Sequence, residues 1–305
     1  MTGTKETTPW TADAAFRAEG GSLYVVATPI GNLRDVTLRA LDILASAEII
    51  AAEDTRVTST LLARYAIATR PRALHRHNEA REVDTLVAAL GAGRSVAIVT
   101  DAGTPGISDP GARLVRAARA AGHRVVPIPG PSALAAAISA AGLVGERFAF
   151  IGFLPAQAKA RREALAASST WPLALVLYEA PHRIAATLAA MAEALDPRRT
   201  LIVARELTKT FETIASMPLG AAAEWIGGDP NRARGELVLI VDAPLDDAVA
   251  GAFAPQAERL LVALLDELPP ARAARIVAGL AELPRDAVYA RALELQARNA
   301  AGRKQ

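Results

Sequence analysis

From Leu23 onward, short apolar runs alternate with stretches of helical spacing, and this rhythm limits the possible folds more than any other property of the chain. The runs are Leu23–Ala27, Ile49–Ala52, Val96–Thr100 and Arg124–Ile128; Thr37–Ala45, Asp84–Leu90 and Ala112–Ala121 lie between them. Such an alternation predicts a mostly parallel sheet covered by helices. Ahead of it, residues 1–20 lack both period and core residues and read as a loose tail.

The rhythm breaks at Pro127-Ile128-Pro129-Gly130-Pro131. This stretch is too stiff to continue a strand and is expected to be a hinge between two domains, 21–129 and 130–244. The second block reads as a helix from Ala133, strand Phe148–Phe153, helix Lys159–Ala167, strand Leu173–Tyr178 and helix His182–Leu195. Strands Thr200–Arg205, near Glu212–Ala215 and Glu236–Val241 follow without helices between all of them, which predicts a mixed sheet. Beyond Pro244, Leu260, Leu261, Leu264, Leu265 and Leu268 share one helical face. Helices over Ala271–Leu280 and Asp286–Gln296, with Asp286 as N-cap, complete a helix-turn-helix-like module over 245–305.

With 305 residues and 51% hydrophobic content, the chain can bury two medium cores. It has no cysteine, which excludes disulfides, thiolate metal sites and cysteine nucleophiles. No apolar run reaches membrane-spanning length and no signal peptide is visible, so a cytoplasmic protein is expected. The formal charge is +2 yet the pI is about 9.1, because little titrates between the carboxylates and the bases. The basic surplus is placed in 271–305, where Arg272, Arg275, Arg285, Arg291, Arg298, Arg303 and Lys304 outnumber Glu282, Asp286 and Glu294. That nominates the helical tail as a handle for RNA.

Three loops leave strands of the first sheet, where open α/β sheets present ligand crevices. Thr28-Pro29-Ile30-Gly31-Asn32-Leu33 lets a ligand approach main chain, or is only a structural turn. Asp101 to Gly111 packs two aspartates with several glycines and prolines, more than a connection needs; Asp109 is expected to cap the next helix with Pro110 at its first position. Gly130-Pro131-Ser132-Ala133 brings a helix N-terminus, with Ser132 as its cap. Together they suggest a small-molecule pocket. No phosphate-binding loop or paired-metal spacing occurs, and His75, His77 and Glu79 make a weak metal cluster.

Polar groups end other strands. Glu53-Asp54-Thr55-Arg56 suits ribose hydroxyls, a general base, or a solvated ion pair. Tyr178 to Arg183 and Arg205 to Lys209 combine aromatic, acidic and basic groups able to stack on and pair with a nucleotide. Lysine occurs only at Lys5, Lys159, Lys209 and Lys304, so Lys209 at a strand end stands out, although drift towards arginine codons explains it equally.

These motifs, with Gly152-Phe153-Leu154-Pro155 and Gly235-Glu236-Leu237, follow one another in an order that closely resembles the tetrapyrrole methylase family, in particular its bacterial branch acting on 16S rRNA. The resemblance covers about Leu23 to Asp242 and extends into the helical tail. It implies a two-domain tetrapyrrole-methylase-like α/β fold, a class III S-adenosylmethionine methyltransferase, and a homodimer. The implied activity is 2′-O-methylation of a cytidine ribose in 16S rRNA of the small ribosomal subunit, without a metal. A tetrapyrrole-like small-molecule methyltransferase and a non-catalytic RNA-binding assembly factor are the alternatives. The resemblance places S-adenosyl-L-methionine against Thr28, Pro29, Asp101, Ala102, Gly103, Thr104, Ser132, Ala133 and Tyr178. For the chemistry, Glu53 or Asp54 is the expected base with Lys209 as a tuning neighbour, and Arg56, His182, Arg183 and Arg205 are expected to bind the RNA.

Overall fold

A computed structural model describes residues 16–75, 79–143, 147–244, 255–281 and 283–302. The first domain holds strands β1 (Ser22–Val26), β2 (Ile49–Ala52), β3 (Pro71–Ala73), β4 (Val96–Val99) and β5 (Arg124–Ile128). All pair in parallel, in the order β3-β2-β4-β1-β5. Helices α1 (Leu38–Ser46), α2 (Thr55–Arg64), α3 (Glu79–Gly91) and α4 (Ala112–Ala120) connect them. Every residue of β2 and β4 is buried, because alternate side chains feed two separate cores. Ile50, Ala52, Ala97 and Val99 join Leu41 and Leu44 of α1 and Leu62 of α2; Ile49, Ala51, Val96 and Ile98 join Leu86 and Leu90 of α3 and Leu114 of α4. Since α1 and α4 cover opposite faces, the loops after β1 and β4 diverge, and a crevice opens between these neighbouring strands.

The second domain contains α5 (Ala133–Ala141), β6 (Phe148–Phe153), α6 (Ala158–Ser168), β7 (Ala174–Glu179), α7 (Ile184–Ala194), β8 (Thr200–Arg205), β9 (Thr213–Pro218), α8 (Ala222–Gly227) and β10 (Leu237–Val241). Its sheet runs β6-β7-β10-β8-β9; β6 and β7 are parallel, and β10 pairs antiparallel with both β7 and β8. It is the mixed sheet that consecutive strands without helices require. One face packs on α6 and α7 through Leu165, Leu188 and Met191. The other, with Val176, Ile202, Val238 and Ile240, packs on α5 and also receives Ile30 from the first domain. Arg199, 1% exposed, donates from Nε to the Asp242 carbonyl at 2.8 Å; burial lowers its pKa against the opposing charges of Asp242 and Asp196.

Helices α9 (Pro255–Glu267), α10 (Pro270–Ala281) and α11 (Arg285–Gly302) bury Leu261, Val277 and Val288 in a core of their own. Glu258, Asp266 and Glu267 on α9, set against Arg259, offset part of the basic surplus read in 271–305, and Arg291 is paired with Glu258 and Glu294. Glu282, Arg303 and Lys304 lie outside the described residues.

Several local expectations are corrected. Residues 1–15 lie outside the described part, but Ala18 N–H donates to Ser46 Oγ at 2.8 Å and Glu19 N–H to Tyr24 Oη at 2.8 Å, so residues 16–20 are tied down. Pro127 does sit in a strand: β5 is an edge strand, where a missing N–H breaks no ladder. Asp109 and Pro110 do not open α4. Gly111, at φ +117°, is its N-cap and lacks a side-chain cap bond; a Cβ there would stand 2.6 Å from Ile98 Cδ1. Asp286 sits in the first turn of α11, one residue inside a helix that begins at Arg285.

Candidate active site between the two domains

The first two loops are locked together at their roots. Thr28 and Gly103 exchange backbone hydrogen bonds of 2.9 and 3.0 Å, and Thr28 Oγ1 donates to the Thr100 carbonyl at 3.0 Å. Thr104 Oγ1 donates to the Pro131 carbonyl at 3.0 Å, which ties in the third loop. Gly103 has φ +80°, a conformation a side chain rarely adopts. Asp101 accepts the Asp54 N–H at 2.9 Å and so joins the end of β2 to the end of β4.

These loops and the second sheet enclose a cavity of about 520 Å³. Of the residues expected to hold the cofactor, Asp101, Ala102, Gly103, Thr104, Ser132, Ala133 and Tyr178 line it. Thr28 and Pro29 are buried behind it; they build the loop rather than the wall. Ser132 caps α5. Tyr178 Oη accepts the Leu134 N–H at 3.1 Å. Burial pushes the Tyr178 hydroxyl pKa up, the Leu134 hydrogen bond opposes this and the charge of Asp109 reinforces it, so the phenol stays neutral.

The charge of the lining is one-sided. Glu53, Asp101, Asp109, Glu179 and Glu236 face it, and among the described residues His182 is its only basic side chain. Glu179 is internally committed: it accepts from Ala180 N–H at 2.7 Å and from the Thr187 hydroxyl at 2.5 Å, and Arg183 Nε lies 3.1 Å away.

Not every residue nominated for chemistry reaches the cavity. Glu53 does; Asp54 beside it caps α2, accepting Arg56 N–H at 2.8 Å and pairing with the Arg56 guanidinium at 2.5 Å. Those side-chain and backbone hydrogen bonds hold the Asp54 carboxyl down at about 2, which makes it a weak base. Lys209 has its ammonium 2.8 Å from both Glu206 and Glu236; burial alone would lower its pKa, but these carboxylates outweigh burial and raise it. Its stem crosses Gly31, where a Cβ would lie 2.5 Å from Lys209 Cγ, and Asn32 N–H donates to Thr208 Oγ1 at 3.1 Å. Lys209 is therefore a clasp between the domains. Glu206 and Thr208 adopt positive φ to make it, and Gly235 leaves room for the Glu206 carboxyl, 2.4 Å from where a Cβ would be.

The RNA-binding nominees divide similarly. Arg56 is 89% exposed by side chain and His182 is exposed in the cavity wall. Arg183 turns inward, donating to the Leu154 carbonyl at 2.5 Å. Buried Arg205 donates to the Phe211 carbonyl at 2.9 Å and to Thr213 Oγ1 at 3.2 Å. Both hold loops and present no free guanidinium to a phosphate. His77 lies outside the described residues, and Glu79 accepts the Gly111 N–H at 3.3 Å. Sequence reasoning assigns no role to Ile30, Phe153, Leu207 or Glu236, all of which line the cavity. Each stands inside one of the strand-end motifs, and that is the available signal.

The sequence model of the Tetrapyrrole (Corrin/Porphyrin) Methylases matches residues 22–223, and that of the RsmI C-terminal HTH domain matches residues 251–296. A Ribosomal RNA small subunit methyltransferase I from Vibrio cholerae is 49% identical over 89% of this chain and 94% of its own. The protein of that name from Escherichia coli O157:H7 is 48% identical over 90% and 96%. Among solved structures, the uroporphyrin-III-C-methyltransferase of Thermus thermophilus aligns with a TM-score of 0.52 at 22% identity, covering 73% of this chain and 94% of that one. A cobalt precorrin-4 methyltransferase aligns with a TM-score of 0.55 at 14% identity, covering 76% and 97%. These structural likenesses concern the fold alone.

Proposed function

This chain belongs to the tetrapyrrole methylase family and is a methyltransferase, and from that premise we propose that it methylates the ribose 2′-hydroxyl of a cytidine in 16S rRNA of the small ribosomal subunit, using S-adenosyl-L-methionine. The acceptor class comes from relatives named for small-subunit rRNA at 48–49% identity. The observation that carries the reading is the carboxylate-lined cavity between the domains.

S-adenosylmethionine supplies a methyl group on a sulfonium and also bears an ammonium, so its reactive end is cationic. Asp101, Asp109 and Glu53 offer that end a negative field, while Ala133, Ala204, Leu207 and Val238 give an apolar wall to the rest of the donor. What stands against the tetrapyrrole alternative is that the relatives sharing nearly half of this sequence are named for small-subunit rRNA.

The residues chiefly exclude water and fix the line of attack, the source of most rate gain in a displacement of this type. Glu53 is the carboxylate placed to take the hydroxyl proton; such a base adds about 10²–10⁴-fold. Asp54, held anionic by Arg56, positions the start of α2. Arg56 and His182 face the RNA, and the helical module supplies further contacts to it. The protein works in the cytoplasm as a homodimer.

Calorimetry should show S-adenosylmethionine binding to the purified chain. Methyl-tritiated donor should label small subunits from a strain lacking this chain, with affinity for the subunit falling steeply as salt rises. Label entering a porphyrinoid instead would refute the acceptor, and subunit binding without label would make the chain an assembly factor.

A further inference from the structure

Phe153 is 52% exposed although it lines the cavity, and no part of the reading above uses it. Among the large apolar side chains of the wall it stands apart: Ile30, Leu207, Leu237 and Val238 are each below a tenth exposed and Ile107 is half-buried, while the remaining open apolar positions are the small Ala102 and Pro181. A large aromatic at a wet rim gains little from burial, so something else accounts for its position.

The backbone shows that the position is built. Strand β6 shifts register against β7 between Phe150 and Gly152, the mark of a bulge, which re-aims the side chains after it. Gly152 takes φ +74°, and a Cβ there would lie 3.0 Å from Ser108 Oγ, so the loop that carries Asp101 and Asp109 packs against the bulge. The Phe153 ring meets Tyr178 in a T-shaped contact, with centroids 5.7 Å apart at 66°. Tyr178 is itself fixed by Phe150 at 4.8 Å and by the Leu134 N–H. The ring is held at one side while half its surface stays open to solvent, in a wall that also carries exposed His182.

Resting on the function proposed above, we infer that Phe153 is the stacking platform for the acceptor nucleobase. A ribose hydroxyl inside a helical stack cannot reach the floor of a cleft of about 520 Å³; the nucleotide has to leave its stack, and an aromatic face replaces the lost stacking. The rim position separates this role from donor binding, for which the buried apolar wall is available. Stacking tolerates any base, so Phe153 supplies affinity for an unstacked nucleotide rather than a choice among bases.

The test uses full-length protein, small subunits lacking the modification and methyl-tritiated S-adenosylmethionine. Loss of one stacked base corresponds to about a 5- to 140-fold change. Phe153→Ala and Phe153→Leu should each raise KM for subunits by that factor, leave the calorimetric Kd for S-adenosylmethionine within about two-fold, and be rescued by Phe153→Trp. Phe153→Leu keeps an apolar filler at the site and serves if the alanine variant does not fold. An unchanged KM overturns the inference, and so does a donor Kd that rises in step with KM, which would place the ring in the donor site. Wild-type protein that binds the donor yet labels no subunit overturns the functional reading itself, a result distinct from either.

Discussion

Replacing Gly31 with alanine tests whether Lys209 sets the closure of the two domains. Gly31 is not in the left-handed region, so the substitution adds no backbone strain and would ordinarily stabilise by about 0.4–1 kcal/mol through the unfolded chain. Here the added Cβ would lie 2.5 Å from Lys209 Cγ and 3.0 Å from both Lys209 Cε and Thr208 Oγ1. The lysine cannot simply swing away, because its ammonium is held at 2.8 Å by Glu206 and Glu236. Overpacking costs about 1–3 kcal/mol. The Lys209 side chain is 29% and that of Glu236 75% exposed, so solvent screening limits the ion pairs to a minor share of this. A net loss of about 1–2 kcal/mol is expected, lowering Tm by about 2–8 °C. The measurement is a double-mutant cycle by thermal and urea unfolding with Lys209→Ala. In that background the two Lys209 contacts are gone and the Thr208 contact is kept, and more than half of the penalty should vanish. An equal penalty in both backgrounds refutes the clasp.

Other consequences follow from the same contacts. The Asp54 carboxyl should titrate by NMR at about 2 and move up towards its ordinary range in Arg56→Ala; because its folded pKa is depressed, the stabilisation it brings is present above that ordinary range and is lost as pH falls through the folded value. The clasp is bounded on both sides: Glu206 is lowered and Lys209 raised, so its contribution holds from above the ordinary carboxylate range to below the ordinary lysine range, and Gly31→Ala should cost least at either extreme. Glu53→Gln should lower kcat on small subunits by about 10²-fold or more, whereas Asp54→Asn should act mainly on stability; full turnover in both would remove the carboxylate base. Truncation after Ala243 should weaken subunit binding in gel-shift titrations while leaving donor affinity intact.

What the sequence discloses about this fold follows from where burial is continuous. Ile49–Ala52 is a strand with the expected bounds, and Leu237–Val241 is buried throughout, because an inner strand leaves no polar face to confuse the pattern; Phe148–Phe153 also has the expected bounds although it is an edge strand with exposed ends, its run of apolar residues being signal enough. Helix α2 was not legible: Thr55–Arg64 buries only Thr58, Leu61 and Leu62, and its β-branched residues obscure a helical period. Strand β3 is three residues beginning with proline, below any periodic signal. In the site, the Asp101 loop and the Ser132 helix start were readable from turn and cap chemistry, which is local. The destinations of Lys209, Arg183 and Arg205 were not. Each is decided by a partner remote in the chain or by a carbonyl, Glu236, Leu154 and Phe211 respectively, and composition cannot distinguish a charge facing a ligand from one holding a loop.

The most direct test of the account is mass mapping of 2′-O-methylation in 16S rRNA from a strain lacking this chain, before and after incubation of its small subunits with the purified protein and S-adenosylmethionine. The account predicts one ribose-methylated cytidine missing in the strain and restored in vitro by the wild type, with Glu53→Gln restoring it far more slowly. A methyl group restored on a base, or no difference in the rRNA between the strains, would contradict it.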